Sequence, residues 1–422
     1  MGLQTKKVDY AFECIDCGKQ QDAHNQVIYL CPDCSSDNTP DRPPRGVLKT
    51  VYDYSLLRNK NTSLSDLSLN GFLDLLPIER KESLPPLRIG NTPMYVFREL
   101  DGRPLPYFLH VKDDGQNPTF SYKDRASALV SAYAAERGIN TIVAASTGNA
   151  GSSIAGICAS RGQHAVVLVP ETAPKAKISQ VMMYGAHLIP VRGSYDEAFE
   201  LSIRLSNTYG WYNRNTAYNP LTIEGKKTAA WEIFTDMAAT AIDRIFISVG
   251  DGVIISGIYR GFEDLLKIGL LEKMPVLVAV QSEESDNLVR NMAGGHFTIK
   301  TSTTMADSIS VDVPRNFRMA KQLLRQYGGE WVTVRDADIL SAASVMARNT
   351  GIFSEPAAAA AFAGLLKYHR EARLDAGTHN IVMSTGSGLK DLRAVEKMIR
   401  LPDAVDPGLT SLSDIRDLPP GL

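Results

Sequence analysis

The chain has 422 residues, with 45 Lys and Arg against 47 Asp and Glu, a formal net charge of −2. At 44% hydrophobic and 22% charged residues it has ordinary globular usage, which excludes a mainly disordered, collagenous or coiled-coil protein. The length predicts two to three domains and a large buried core, and the near-zero charge argues against general affinity for nucleic acid or acidic membrane.

The start, MGLQTKKVDY, has no apolar stretch of a secretory signal, and Lys6 stands where a myristoylation motif needs Ser or Thr. A cytoplasmic location is expected. Four of the five cysteines follow as Cys14-x-x-Cys17 and Cys31-x-x-Cys34. Two such knuckles complete a tetrahedral S4 site for a structural zinc ion, with Ile15, Tyr29 and Leu30 as apolar packing and no position left for a catalytic water. Four unligated thiols are the alternative. Residues 1–40 are thus expected to form a zinc ribbon, and the Ser/Asp/Pro-rich segment 33–45 a linker.

A second loop carries Pro85-Pro86 and Gly90-Asn91-Thr92-Pro93. From residue 107 strands alternate with helices. Strands are expected over 108–111, 141–145, 165–169 and 187–191, and helices over 124–137, 151–160, 174–184 and 195–209, most closed by a glycine. Residues 244–249, 276–281 and 380–384 read as further strands, and 255–267, 339–348, 356–368 and 389–399 as helices. The lone Cys158 fits a packed small-residue helix, and 356–366 is too short and alanine-rich to span a bilayer. The tail after Pro402 is expected to wrap the surface or fray. This alternation predicts an α/β protein with two lobes of mainly parallel sheet, covered on both faces, and a ligand cleft beyond the C-terminal strand ends.

Three strand-to-helix junctions are rich in Gly, Ser and Thr: Ser146-Thr147-Gly148-Asn149-Ala150-Gly151-Ser152-Ser153, Ser248-Val249-Gly250-Asp251-Gly252-Val253, and Ser384-Thr385-Gly386-Ser387-Gly388. Glycines there let backbone N–H groups close on an anion, favoured by the helix dipole. Any one of them is equally a tight turn; three would converge on one crevice. Asn117-Pro118-Thr119-Phe120-Ser121-Tyr122-Lys123-Asp124-Arg125 places a lysine at a helix start, an unfavourable place for a cation. Lys123 is either a functional amine that loses its charge by condensing with a carbonyl or a lysine paired with Asp124. Lys6-Lys7 and Lys226-Lys227 read as solvated charges, and most Tyr and Phe as core or rim.

Phe120-Ser121-Tyr122-Lys123-Asp124-Arg125 resembles the lysine motif N-P-T-G-S-F-K-D-R of the fold-type II pyridoxal-phosphate enzymes, in their threonine synthase-like branch. Ser146-Thr147-Gly148-Asn149 matches that family's S-T-G-N, and Thr385-Gly386-Ser387-Gly388-Leu389-Lys390-Asp391 its T-G-H-G-L-K-D. Asn219-Pro220 with Glu224-Gly225-Lys226-Lys227-Thr228 is similar to N-P…E-G-Q-K-T, and Gly90-Asn91-Thr92-Pro93 to an early G-x-T-P turn. A zinc ribbon occurs in some of these proteins. The resemblance covers roughly residues 10–400 and implies a large cofactor domain (45–130 and 215–422) and a small α/β domain (131–214).

It further implies that Lys123 holds pyridoxal 5′-phosphate and moves the α-proton of an amino-acid substrate. Asn149 would bond the cofactor's 3-hydroxyl, Gly250, Asp251, Gly252 and Val253 would cradle its phosphate, and Thr385 would meet its pyridine nitrogen. Ser146 and Thr147 would grip the substrate carboxylate. The favoured activity is threonine synthase, converting O-phosphohomoserine and water to threonine and phosphate, with Ser152, Ser153, Lys175 and Lys177 as candidates for the leaving phosphate. Alternatives are a threonine or serine dehydratase, a 2,3-diaminopropionate ammonia-lyase, a β-replacement enzyme, or, in a different class, a silent scaffold that binds a partner through the ribbon. A homodimer is the default assembly.

Four departures stand out. Phe120-Ser121-Tyr122 replaces Gly-Ser-Phe, Ser387 replaces His, and Pro174-Lys175-Ala176-Lys177 replaces a Gly-rich stretch. Asp251 puts a carboxylate in a phosphate loop, where it would repel a dianion unless it points away, for instance as a helix cap, or the loop takes another geometry.

Overall fold

A computed structural model of the chain describes residues 8–24, 26–59, 62–173, 175–238, 240–396, 398–399, 404–405 and 407–408, with the side chains of 175–177 outside the description. Lys6-Lys7 and nearly all of the tail after Pro402 therefore lie outside the described residues.

Thirteen strands are described: β1 (Tyr10–Cys14), β2 (Gln20–Gln21), β3 (Leu48–Tyr52), β4 (Met94–Leu100), β5 (Arg103–Asp113), β6 (Thr141–Ala145), β7 (His164–Pro170), β8 (His187–Val191), β9 (Tyr212–Asn213), β10 (Arg244–Ser248), β11 (Val276–Ser282), β12 (Glu330–Val334) and β13 (His379–Ser384). They form three sheets, ordered β2-β1-β3, β12-β11-β10-β13-β5-β4 and β8-β7-β6-β9. The four-stranded sheet is parallel. The six-stranded sheet is parallel apart from its antiparallel β4 edge. The expected short strand at 108–111 is part of the eleven-residue β5, joined to β4 through Asp101 and Gly102, both at positive φ, the conformation of a tight hairpin turn.

Near-continuous apolar runs form these strands because both faces are covered. In β10, Ile245 and Ile247 enter one core cluster and Phe246 another; Leu277 and Ala279 divide from Val278 and Val280 in β11 in the same way. In the smaller sheet Ile142 and Ala144 face the main core, while Val143 and Ala145 join a separate cluster with Phe199. The Pro356–Arg370 helix buries Ala357 through Ala363, as its composition predicted, and Cys158 is fully buried.

Helices expected at 124–137, 151–160, 195–209 and 255–267 are found as Lys123–Glu136, Asn149–Arg161, Tyr195–Tyr209 and Val253–Ile268. The helix expected over 389–399 is not formed as one element. A single turn over Gly388–Lys390 ends at Asp391, which leaves helical geometry at φ −143°, and a short helix follows over Leu392–Glu396. Lys390 is drawn off that path by bonds from its amine to Ser152 Oγ (2.7 Å) and Gln180 Oε1 (2.5 Å).

The small N-terminal sheet includes β3, which lies beyond residue 40 and pairs with β1 from Tyr10–Tyr52 to Cys14–Leu48. Ile15, Tyr29 and Leu30 pack against the main core. Within the expected linker, residues 33–35 belong to the Pro32–Ser35 helical turn.

Lys226 and Lys227, expected in solvent, are fully buried. Lys227 is matched by Glu224 at 2.8 Å and Asp264 at 2.9 Å, and its amine lies 4.2 Å from the ring centroid of Tyr52. Glu224, three residues away, and Asp264, from the Val253–Ile268 helix, make the burial of Lys227 tolerable, and only the second is beyond the reach of the local sequence.

Candidate active site

Parallel pairing of β5, β13 and β10 places the segments that follow them on one side of the six-stranded sheet. Lys123 opens the helix after β5, Gly250–Val253 follow β10, and Thr385 follows β13. The Asn149–Arg161 helix starts from the end of β6 in the other sheet. Lys123, Asn149, Gly250, Asp251, Gly252, Val253 and Thr385 line one cavity, together with Thr216, Ser308 and Glu355. It continues into a space of about 400 Å³ bounded by Ser146, Thr147, Tyr195, Thr216 and Arg315.

The lysine loop is stitched to the 385–387 loop by the backbone. Tyr122 N–H donates to the Thr385 carbonyl at 2.9 Å, and Ser387 N–H to the Phe120 carbonyl at 3.0 Å. Phe120, where the related motif has Gly, sits at φ +69°, a left-handed conformation that costs a residue with Cβ about 1–2 kcal/mol. Its ring is 46% exposed and rims a neighbouring cavity of about 460 Å³ that also holds Ser152, Gln180 and Lys390.

Asp124 is not the partner of Lys123. Its carboxylate accepts from Thr119 N–H at 2.7 Å and Thr119 Oγ at 2.5 Å, and Arg125 is tied to Asp114 and Glu232. Burial lowers the pKa of the Lys123 amine and Arg214 lowers it further, against Glu355 and Asp251. A fraction of neutral amine is what a carbonyl-capturing lysine needs.

Gly252 opens the Val253–Ile268 helix at φ +85°, and a Cβ there would lie 2.9 Å from that of Ala320. Only glycine allows this turn, which leaves the first N–H groups of a sixteen-residue helix at the cavity wall. Asp251 does not cap that helix. Its carboxylate accepts from Arg315 N–H at 2.9 Å, and burial raises its pKa against Arg315, Lys123 and Lys226.

Several expected site residues are engaged with others. Asn149 donates to Glu355 Oε1 at 2.8 Å and lies 3.4 Å from Ser308 Oγ. Ser146 Oγ accepts from Gly148 N–H at 3.3 Å. Ser152 reaches the neighbouring cavity, whereas Ser153 turns away and donates to Ser127 Oγ at 2.7 Å within the core. The side chains of Lys175 and Lys177 lie outside the description.

Glu355, Arg214 and Thr216 escaped the sequence reading, and Lys390 figured there only as part of a motif, with no role. Glu355 stands at the residue before the Pro356–Arg370 helix without a side-chain cap bond, and its pKa is raised by burial. It fits against Gly386, where a Cβ would fall 2.6 Å from its Oε1. The Glu355-Pro356 pair before an alanine run was the available signal. Lys390 is pushed down to about 8 by burial. Arg214 is 1% exposed, donates to Thr216 Oγ at 3.0 Å and Ser127 Oγ at 3.3 Å, and keeps Nη2 without a hydrogen-bond partner. Burial lowers its pKa to about 10. No local pattern marks it.

A lysine of lowered basicity, a glycine turn at a helix start and buried cations without carboxylate partners suit an aldehyde that carries a phosphate. The chain belongs to the family of pyridoxal-phosphate dependent enzymes, whose model matches residues 86–386, and it has the fold type II architecture of that family. Among its relatives is a threonine synthase of Methanocaldococcus jannaschii, 32% identical over 92% of this chain and 96% of that one. Another, from Methanosarcina acetivorans, is 32% identical over 96% and 98%. The structure of a threonine deaminase isoform from Solanum lycopersicum superposes with a TM-score of 0.60 at 22% identity over 68% of this chain and 81% of that one, a likeness of fold.

The four ribbon cysteines form a separate cluster. Their sulfur atoms all lie within 4.8 Å of one another, and Cys17 and Cys31 are 3.9 Å apart. Tetrahedral zinc with Zn–S of about 2.3 Å would set sulfurs about 3.8 Å apart, so the residues fit that ion. Among the described residues no helix is long and apolar enough to cross a membrane.

Proposed function

We propose that the protein is a threonine synthase: O-phosphohomoserine and water give threonine and inorganic phosphate. The observation that carries this reading is near full-length similarity, at 32% identity, to relatives described by that activity. Pyridoxal phosphate supplies the electron sink for charge developing beside the substrate's α-carbon. Lys123 holds the cofactor and moves the proton at that carbon. Ser146, Thr147 and the N–H groups at the start of the Asn149–Arg161 helix bind the substrate carboxylate. Gly250, Asp251, Gly252 and Val253 hold the cofactor phosphate, Thr385 meets the pyridine nitrogen, and Asn149 orients the ring.

The domain limits named above (1–40; 45–130 with 215–422; 131–214), a cytoplasmic homodimer and a structural zinc on Cys14, Cys17, Cys31 and Cys34 belong to the same reading.

The test is incubation of the purified holoenzyme with O-phosphohomoserine. Equal amounts of phosphate and threonine are expected. Phosphate without threonine overturns the reading, and so does inertness toward this substrate with release of ammonia and a 2-oxo acid from threonine or serine. Metal analysis should find one zinc per chain, and none after Cys17→Ser with Cys31→Ser.

A further inference from the structure

The helix Phe317–Gln326 carries Arg318, Lys321 and Arg325 and no acidic residue. Spacings of three and four residues put these cations, with Gln322, on one face, about 5–6 Å between neighbours, in a row that rises about 10 Å along the axis. The side toward the core buries Met319, Ala320, Leu323 and Leu324. Like charges at such spacings destabilise a helix unless a negative charge balances them.

The row faces a cavity of about 780 Å³, bounded across from it by Asp16, Arg42 and Pro43 of the N-terminal segment. Among the described residues that line it, Asp16 is the only carboxylate. It accepts from Gly46 N–H at 2.7 Å and lies 3.4 Å from Arg318. Arg42 has the exposed Asp41 at 3.9 Å. Lys321 donates to the Asn291 and Gly294 carbonyls, both at 2.8 Å, and Arg325 to the Met292 carbonyl. Those acceptors are neutral, so they fix where the two cations stand without cancelling their charge. Burial lowers the Lys321 pKa, and Arg325 lowers it further, as expected of like charges held together. The loop that accepts these bonds is itself tied down, since Asn291 exchanges bonds with the Thr298 N–H at 2.8 Å and the Thr298 carbonyl at 2.9 Å. Phe297 and Phe317, edge to face at 5.1 Å, add an apolar side to the cavity.

We propose that this cleft binds a small metabolite bearing a diphosphate, at a site separate from the cofactor cavity, with which it shares no lining residue. One phosphate reaches one or two neighbours of the row, whereas a diphosphate can engage three long side chains at once, and the volume leaves room for an organic group beside the two rings. The inference does not depend on which amino acid is the substrate.

The test titrates the holoenzyme with inorganic pyrophosphate by calorimetry at about 0.15 M salt, where unspecific attraction is screened. One saturable site per chain is expected, with inorganic phosphate weaker by about tenfold or more. Gln322 and Arg325 are exposed, so their variants leave the core untouched. Gln322→Glu sets a carboxylate within the row and improves the charge balance of the helix; cofactor content and melting temperature should hold while pyrophosphate binding weakens about tenfold or more. Arg325→Gln should weaken it about fivefold or more. A nucleoside diphosphate that binds more tightly than pyrophosphate assigns the site to a nucleotide, and one that binds more weakly assigns it to the free diphosphate. Absence of saturation, equal affinity for phosphate and pyrophosphate, or parent affinity in Gln322→Glu overturns the proposal.

Discussion

At the base of the lysine-bearing helix, Arg125 is buried against Asp114 at 2.6 Å and Glu232 at 2.5 Å, with Lys112 nearby on Glu232 and Asp236. Around the cavity, Lys123, Arg214 and Lys226 make no ion pair with a carboxylate among the described residues. Both regions place cations in low-dielectric surroundings. In the first the counter-charge is built into the chain, so the cost of burial is met whenever the protein folds. In the second that cost is eased for the two lysines by the fall in their pKa values on burial, and a bound anion would add the missing counter-charge. Paired cations hold the frame, and unpaired ones mark where a ligand's charge completes it.

This contrast can be broken in order of effect. Lys123→Ala should abolish turnover, by about a thousandfold or more, while the melting temperature of the apo-protein changes little. A variant that keeps activity would remove the cavity's chemistry from this lysine. Arg125→Met should do the reverse, costing about 3–5 kcal/mol in denaturant unfolding because buried Asp114 loses its cation and Glu232 keeps only Lys112. Neutral behaviour there would show that the two regions do not differ as described.

A third test uses pH. His110 bonds to His379 at 2.9 Å, and burial, with His379 and Arg98 adding to it, lowers its pKa from 6.5 to about 4. Between those values the unfolded chain takes up a proton that the native one refuses. Stability should therefore fall as pH drops from about 6.5 to about 4, by up to about 3 kcal/mol, and the His110→Gln variant should lack that loss. An unchanged acid limb would assign it to other groups. The smallest effect is expected at Phe120. Phe120→Gly relieves the left-handed backbone but adds chain entropy, so stability should shift by less than about 1 kcal/mol, whereas Phe120→Ile should cost about 1–2 kcal/mol. Equal effects of the two would mean the strain is not borne there.

Much of the site was legible because its parts are local. Lys123, Asn149, the Gly250–Val253 turn and Thr385 each lie at a strand-to-helix junction that glycine and hydroxyl residues announce within a few positions. Lys226 was misjudged for the opposite reason: its burial depends on a helix starting at Val253 and on Tyr122, both distant in sequence. The residue cannot signal surroundings that other segments supply. Arg214 was missed on the same ground, since it becomes notable only beside Lys123, whereas Glu355 left a local sign in the Glu355-Pro356 pair.

The amino-acid order alone determined most of the alternation of strands and helices and the cysteine knuckles, because hydrophobic period, glycine conformation and short ligand spacing act over a few residues. Tertiary structure alone decided which charges meet, that Ser153 faces the core while Ser152 faces a cavity, and that Asn149 meets Glu355. Those outcomes depend on how folding brings separate elements together, from Ser153 with Ser127 to Asn149 with Glu355, and the free energy of a charge is set by whatever comes within a few ångströms of it.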